Sequence, residues 1–263
     1  MVICNDGKLP TWRNRIEPNY KKRDDKPALQ KMRTAVNQII PQITEMLEAS
    51  GHPLLTVPHV EADDLIGILS ARIQRAWKIP VVIVSNDGDY QSLLSPLVSI
   101  LKPEKGNDRF TKITPTSFEQ RYGFEPAVFP HYKAITGDSS DTLPGIHKIG
   151  PVGATTLVQS GVRFDSPQPD SFKERLTAQE WEVGRHTYSL VKIPRTVYDL
   201  PYAAEQQAVN AALTHLHGFN AWIECPIAHR QRLQAVQQVL SVYDVDARDI
   251  LQYADVVNKW RAA

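Results

Sequence analysis

The stretch Gly137–Gly153 reads GDSSDTLPGIHKIGPVG, and the rest of the chain can be organised around it. Its first half places Asp138 and Asp141 among glycine and serine. Hard divalent cations take oxygen ligands from loops that can wrap them. Its second half sets Gly145, Gly150 and Gly153 around Lys148, ahead of a helical run over Ala154–Ser160. Glycines let backbone amides approach a phosphate closely, and a helix N-terminus adds partial positive charge. Acids for a metal beside amides for a phosphate point to a phosphodiester bond, held on one side and cut on the other. An ordinary helix–turn–helix corner with solvated acids would show the same short pattern, because such motifs also recur by chance.

Three more acidic groups lie upstream. Val81–Ser85 is a continuous apolar run, the pattern of a buried parallel strand, and it ends in Asn86-Asp87-Gly88-Asp89. Leu54–Val57 reads as a strand, followed by Glu61-Ala62-Asp63-Asp64 at the head of a helix whose apolar face is Leu65, Ile66, Ile68, Leu69 and Ile73. Acids in a first helical turn are favoured by the dipole, but three in four residues exceed what capping needs. Val2–Cys4 is a short apolar run ending in Asn5-Asp6-Gly7. Asp-Gly favours turns in any case, but open α/β sheets place their sites at strand C-terminal ends. Strand, acids, helix, strand, acids, helix predicts a doubly wound α/β fold.

Between these groups, Lys8–Lys26 is basic, with Trp12 and Tyr20 interleaved. Charge with aromatics suits gripping a single strand by backbone contact and stacking, although an exposed loop with ordinary lysines has the same composition. Leu29–Ser50 has helical periodicity in Met32, Val36, Ile39, Ile40, Ile43 and Leu47, with Pro41 predicting two helices or a kink and Gly51 a stop. Tyr90–Leu94 reads as a helical turn, Val98–Leu101 as a strand and Lys102–Phe110 as a charged loop. Helices are predicted from Pro115 to Tyr122 and from Pro126 into Gly137. Beyond Ser160 come a linker over Gly161–Asp170, a capping box at Thr177 and Glu180 opening a helix to about Leu190, and an extended run at Ile193–Leu200. Further helices are predicted over Glu205–His217, Ala228–Tyr243 and Ala247–Arg261.

The chain of 263 residues has a net charge of +1, so any nucleic-acid contact must use local charge. Cys4 and Cys225 offer no disulfide framework, which fits a reducing compartment. No secretory leader and no apolar run of spanning length is read, so the expected location is the cytoplasm, the host's if a phage encodes it. None of the eight histidines stands at metal-ligand spacing.

Taken together, these motifs resemble the 5′-to-3′ exonuclease and flap endonuclease family, which includes phage exonucleases and the nuclease domain of bacterial DNA polymerase I. Asn5-Asp6-Gly7 resembles the family's second-strand acid, and Tyr20-Lys21-Lys22-Arg23 its basic motif at the foot of a helical arch. Val60–Asp64 and Ser85–Leu94 resemble the next two acidic motifs. Gly137–Asp141 through Gly145, Gly150 and Gly153 resembles its last acid motif and helix–three-turn–helix. The basic motif has one residue fewer between Lys21 and Arg23 than in the family. In the family, a strand with another metal-binding Asp precedes the strand of Asp6. That element is expected upstream of Met1, or missing from a fragment or reduced member.

The resemblance implies a PIN-like, mostly parallel α/β nuclease domain over residues 1–125 and a helical DNA-binding region over 126–263, with the hairpin motif at 137–160. It implies two Mg²⁺ ions, replaceable by Mn²⁺. Asp6, Glu61 and Asp63 would serve one side and Asp87, Asp89 and Asp138 the other, with Asp64 and Asp141 adding outer charge. Lys21 and Arg23 would be catalytic, stabilising charge on the phosphate. DNA would be held by Tyr20, Lys22, Gly145, Lys148, Gly150 and Gly153, with K⁺ at the hairpin. The implied substrates are DNA with 5′ ends, flaps or nicks, the RNA of RNA–DNA hybrids being left open, acted on by a monomer without a membrane. Two other readings remain: a DNA-binding relative impaired in catalysis, and a PIN-type ribonuclease.

Overall fold

The computed structural model describes residues 1–22, 27–49, 52–104 and 109–215. Along the chain these form β1 (Ile3–Asn5), α1 (Trp12–Ile16), α2 (Pro27–Ala49), β2 (Leu54–Thr56), α3 (Ala62–Trp77) and β3 (Val81–Val84). Then come β4 (Val98–Pro103), β5 (Phe110–Ile113), α4 (Pro115–Tyr122), α5 (Phe129–Thr136), α6 (Pro151–Gln159), α7 (Ala178–Val191) and α8 (Ala203–His215). The helices expected over 228–243 and 247–261, together with Arg23, Gly51 and Cys225, lie outside the described residues. No helix among the described residues is long and apolar enough to cross a membrane.

The chain forms two compact units, each built from separated segments. One takes Met1–Asn5, Asp24–Leu55 and the described residues from Ala211 onward. It contains the pairing of β1 with β2 and the long helix α2. Pro41 neither divides nor ends α2, which is assigned as one helix from Pro27 to Ala49. Proline removes one backbone hydrogen bond, and Asn37, whose carbonyl loses its donor, is exposed, so water can serve it. The periodic apolar residues Met32, Val36, Ile39, Ile40 and Ile43 are all exposed.

The other unit takes Asp6–Arg23 and Thr56–Asn210. Its sheet runs β3-β4-β5, with β3 parallel to β4 and β4 antiparallel to β5. β5 is a strand that the sequence pattern does not predict, and it takes in Phe110, the last residue of the expected charged loop. The burial expected of the whole β3 run is also corrected. Ile83 is buried, but Val82 and Val84 are 50% and 42% exposed, because alternate residues of a strand point to opposite faces and only the face of Ile83 packs on the core.

The core of this unit joins Ile83, Val98 and Ile100 of the sheet to Phe118 of α4, Ile135 of α5, Leu157 of α6 and Trp181 of α7. The helix ends follow local chemistry. Thr114 caps α4 through the amide of Ser117, and the predicted box of Thr177 with Glu180 opens α7. Glu61 is the N-cap of α3, which ends where Lys78 turns left-handed. It lies directly on the segment after α7, since a Cβ on Gly67 would fall 2.3 Å from the carbonyl oxygen of Pro194.

Candidate active site

The start of α3 arranges three acids by helical spacing. Glu61 and Asp64, three apart, share a face, while Asp63 points elsewhere. That shared face is buried against the segment Thr11–Lys21, which delivers the opposite charge. Asp64 accepts from Trp12 Nε1 at 2.7 Å and from the two terminal guanidinium nitrogens of Arg13, at 3.0 and 2.8 Å. Glu61 accepts from Arg13 at 3.0 Å, from the Tyr20 hydroxyl at 3.2 Å and from Lys21 Nζ at 3.2 Å. Arg13 is 2% exposed, stacks on Trp12 at 4.3 Å, and donates through Nε to the carbonyl of Leu190 in α7. Burial opposes its charge, but Asp64 and Glu61 more than compensate and hold it protonated. The charge of Lys21 is retained for the same reason: burial works against it, and Glu61, Asp141 and Asp63 outweigh that.

Asp6 reaches α3 from outside. The backbone of Gly7 passes so close to Val57 that a Cβ would lie 2.2 Å from its carbonyl oxygen, and its amide bonds to Val60. This turn lets Asp6 accept from the first helical amide, Ala62 N, at 2.8 Å. Asp63 takes the hydroxyl of Tyr90, and burial pushes its carboxyl up to about 6.

Beyond β3, Asp87 accepts from the amide of Asp89 at 2.9 Å and shapes the turn, leaving the Asp89 carboxylate to face Asp138. Asp138 is fixed by the glycines around it. Gly137 has φ +76°, and its missing Cβ would lie 2.4 Å from the amide nitrogen of Gly145. One oxygen of Asp138 accepts from Ser140, N at 2.9 Å and Oγ at 2.6 Å, and the other meets the ammonium of Lys133. The same ammonium touches Asp89. Burial holds Asp89 above the ordinary carboxylate range despite Lys133. For Asp138 the burial effect is overcome by Lys133 and Ser140, which hold it low. Asp89, Asp138 and Asp141 each offer an oxygen within 4.8 Å of the others. The Tyr20 hydroxyl also lies 3.1 Å from Asp141, so its single proton is shared between Asp141 and Glu61 and bridges them.

The acids expected from the sequence thus come together unequally. Asp89, Asp138 and Asp141 converge. Asp63 and Glu61 border them through Tyr90, Lys21 and Tyr20. Asp6 is tied to α3 and Asp64 to Arg13. Of the expected DNA-binding residues, Lys22, Lys148, Gly150 and Gly153 are exposed. Gly145 is partly exposed, and its backbone passes close to the segment at Thr136 and Gly137. The stacking expected of Trp12 and Tyr20 is not available: they are 3% and 4% exposed, and Tyr20 packs among Leu143, Leu190 and Val191. The sequence reading missed Arg13 and Lys133. Arg13 was one cation among many in a basic stretch. Lys133 carried a signal in its position, one helical turn before Gly137 on the helix that leads into the acidic loop.

The donor set is all carboxylate oxygen, which fits hard divalent ions such as Mg²⁺ or Mn²⁺ better than soft ones.

Residues 1–123 match the family described as 5′-3′ exonuclease, N-terminal resolvase-like domain. The chain is 32% identical over 187 residues to the flap endonuclease Xni of Photorhabdus laumondii, covering 68% of this chain and 69% of that one. It is 34% identical over 196 residues to a 5′-3′ exonuclease of Aquifex aeolicus, covering 73% and 64%. The alignments with the first curated relatives span 26%, 52% and 64% of those proteins' lengths. Among solved structures, the T5 5′-exonuclease with bound zinc has a TM-score of 0.62 at 19% identity, over 81% of this chain and 83% of that one. The T5 D15 flap endonuclease in a complex with DNA and metal ions has a TM-score of 0.56 at 18% identity, over 92% and 82%. These structural matches show a shared PIN-like α/β fold.

Proposed function

The chain belongs to the family of 5′-3′ exonucleases and flap endonucleases, and from that premise we propose that it hydrolyses phosphodiester bonds of DNA at 5′ ends or flaps, using divalent ions held by its carboxylates. The observation that carries this reading is the convergence of Asp89, Asp138 and Asp141 within 4.8 Å, beside a loop that leaves Lys148, Gly150 and Gly153 exposed. Asp89, Asp138 and Asp141, with Asp87 nearby in sequence, would hold one ion. Asp63, with Glu61 and Asp6, would serve a second. A bound divalent ion would neutralise charge on the phosphate and ease deprotonation of a water.

The chain's own residues account for the rest. Lys21 keeps its charge at the acidic group and is available to a phosphate oxygen. Tyr20 aligns Glu61 with Asp141 through one hydroxyl. Arg13 neutralises Asp64 and Trp12 donates a hydrogen bond to it, so its charge does not add to the crowding. Exposed glycine amides and Lys148 at the start of α6 would contact backbone phosphates without reading sequence. The preference would therefore be for DNA structure over base order.

Two measurements test this. The protein should degrade 5′-ended DNA with Mg²⁺ or Mn²⁺ and show no cleavage in EDTA; activity that survives chelation ends the metal reading. Lys21→Ala should lower turnover on the order of a hundredfold or more while changing DNA affinity little. Glu61 retains Arg13 and Tyr20 in that variant, so the fold should hold. Equal losses in turnover and affinity would make Lys21 a plain backbone contact.

A further inference from the structure

Lys133 is a cation at the acidic cluster with no part in the proposed chemistry. It lies in the last turn of α5, its side chain is 15% exposed, and its ammonium touches Asp89 and Asp138 together. Those are two of the three acids that converge, so a positive charge already occupies the space between them. Among the described residues, no other lysine or arginine pairs with either acid. Two like charges this close repel each other, and a cation between them offsets that repulsion.

We propose that Lys133 is an internal counter-ion, which stands between Asp89 and Asp138 in the metal-free protein and must give way when a divalent ion binds that pair. This rests on the metal-dependent reading of the same acids. Lysine chemistry suits such a part. Its ammonium is a compact point charge on a flexible four-carbon stem, so it can leave two oxygens without dismantling a rigid fork of hydrogen bonds. The lysine keeps the acidic loop ordered without metal, and it weakens metal binding because each ion displaces a favourable contact. It therefore sets the metal concentration at which the site fills.

Two properties of Lys133→Met, measured without DNA, test this: Mn²⁺ affinity by calorimetry or electron paramagnetic resonance, and thermal unfolding in EDTA and in saturating Mn²⁺. Methionine keeps the length and packing of the stem and removes the charge. Mn²⁺ affinity should rise about tenfold or more, since a +1 competitor in contact with both acids is gone. The variant should unfold at lower temperature than the wild type in EDTA and recover most of the difference in Mn²⁺. If it does not fold in EDTA, folding on addition of Mn²⁺ supports the same conclusion. Lys133→Arg retains the charge and should bind Mn²⁺ no more tightly than the wild type. Unchanged or weaker Mn²⁺ binding in Lys133→Met, with equal destabilisation in both conditions, would overturn the proposal and make Lys133 a structural ion pair. Tighter binding in Lys133→Arg would overturn it as well. A wild-type protein that neither binds Mn²⁺ nor is stabilised by it overturns the metal reading itself, and this inference with it.

Discussion

Arg13→Met is expected to destabilise the unit that carries the acids by about 3–5 kcal/mol, the size associated with removing one partner from a buried ion set. The guanidinium is buried and reaches Asp64, Glu61 and the carbonyl of Leu190. Methionine keeps much of the volume and none of the charge, so Asp64 stays in the core with Trp12 as its remaining donor. Glu61 suffers less, because Tyr20 and Lys21 still reach it. The loss should therefore trace mainly to Asp64. Arg13→Met/Asp64→Leu should recover a large part of it, since an apolar set of similar volume is often neutral relative to buried ions. Chemical denaturation followed by tryptophan fluorescence and circular dichroism measures both variants. A loss below about 1 kcal/mol in the single variant, the scale of an exposed pair, would mean that the buried network contributes nothing special.

The second large effect separates cutting from holding. Asp138→Asn removes a charge but little volume, and the amide oxygen can still accept from Ser140. Turnover should fall on the order of a hundredfold or more, while duplex binding is unchanged or tighter, because one acid facing phosphate is gone. Gly150→Asp should do the reverse. A Cβ at Gly150 meets nothing within 4 Å, and its φ of −84° suits any residue. Gly150 is also the N-cap of α6, where aspartate is a preferred residue, so stability should be unchanged or slightly higher. Any loss of binding is then electrostatic. Affinity for long duplexes should weaken and its salt dependence flatten by about one unit per lost phosphate contact. A short oligonucleotide that never reaches the hairpin should be cut almost normally. Binding and cleavage measured side by side on long and short duplexes decide the matter. If Asp138→Asn abolishes binding, or Gly150→Asp leaves long-duplex binding untouched, the two halves of Gly137–Gly153 do not divide the work.

Much of this architecture was legible in local pattern. The acids Glu61, Asp63 and Asp64 announced α3 because the first turn of a helix favours negative charge. Thr177 and Glu180 announced α7 by a reciprocal cap that needs only four residues. Gly137 and Gly145 are readable as special positions, but that they let two backbone segments touch is not. β5 was missed because a four-residue strand with two exposed polar positions differs little from a charged loop.

From the sequence alone come most of the elements, their order and the inventory of carboxylates, since helix caps, turns and strand periodicity depend on neighbours a few residues apart. Family membership was also legible there, through several motifs in one order. Tertiary structure alone decides which carboxylates are free to act. Asp64 and Asp89 are equal as letters. One is neutralised by Arg13, 51 positions away, and the other shares Lys133 with Asp138 across 44 and 5 positions. It also decides that Tyr20 is a buried bridge and not an exposed stacking ring, and that only one face of β3 is covered. The reason is physical. A charge or a ring acquires its role from the partner and the solvent that meet it, and distant segments meet only when the core assembles.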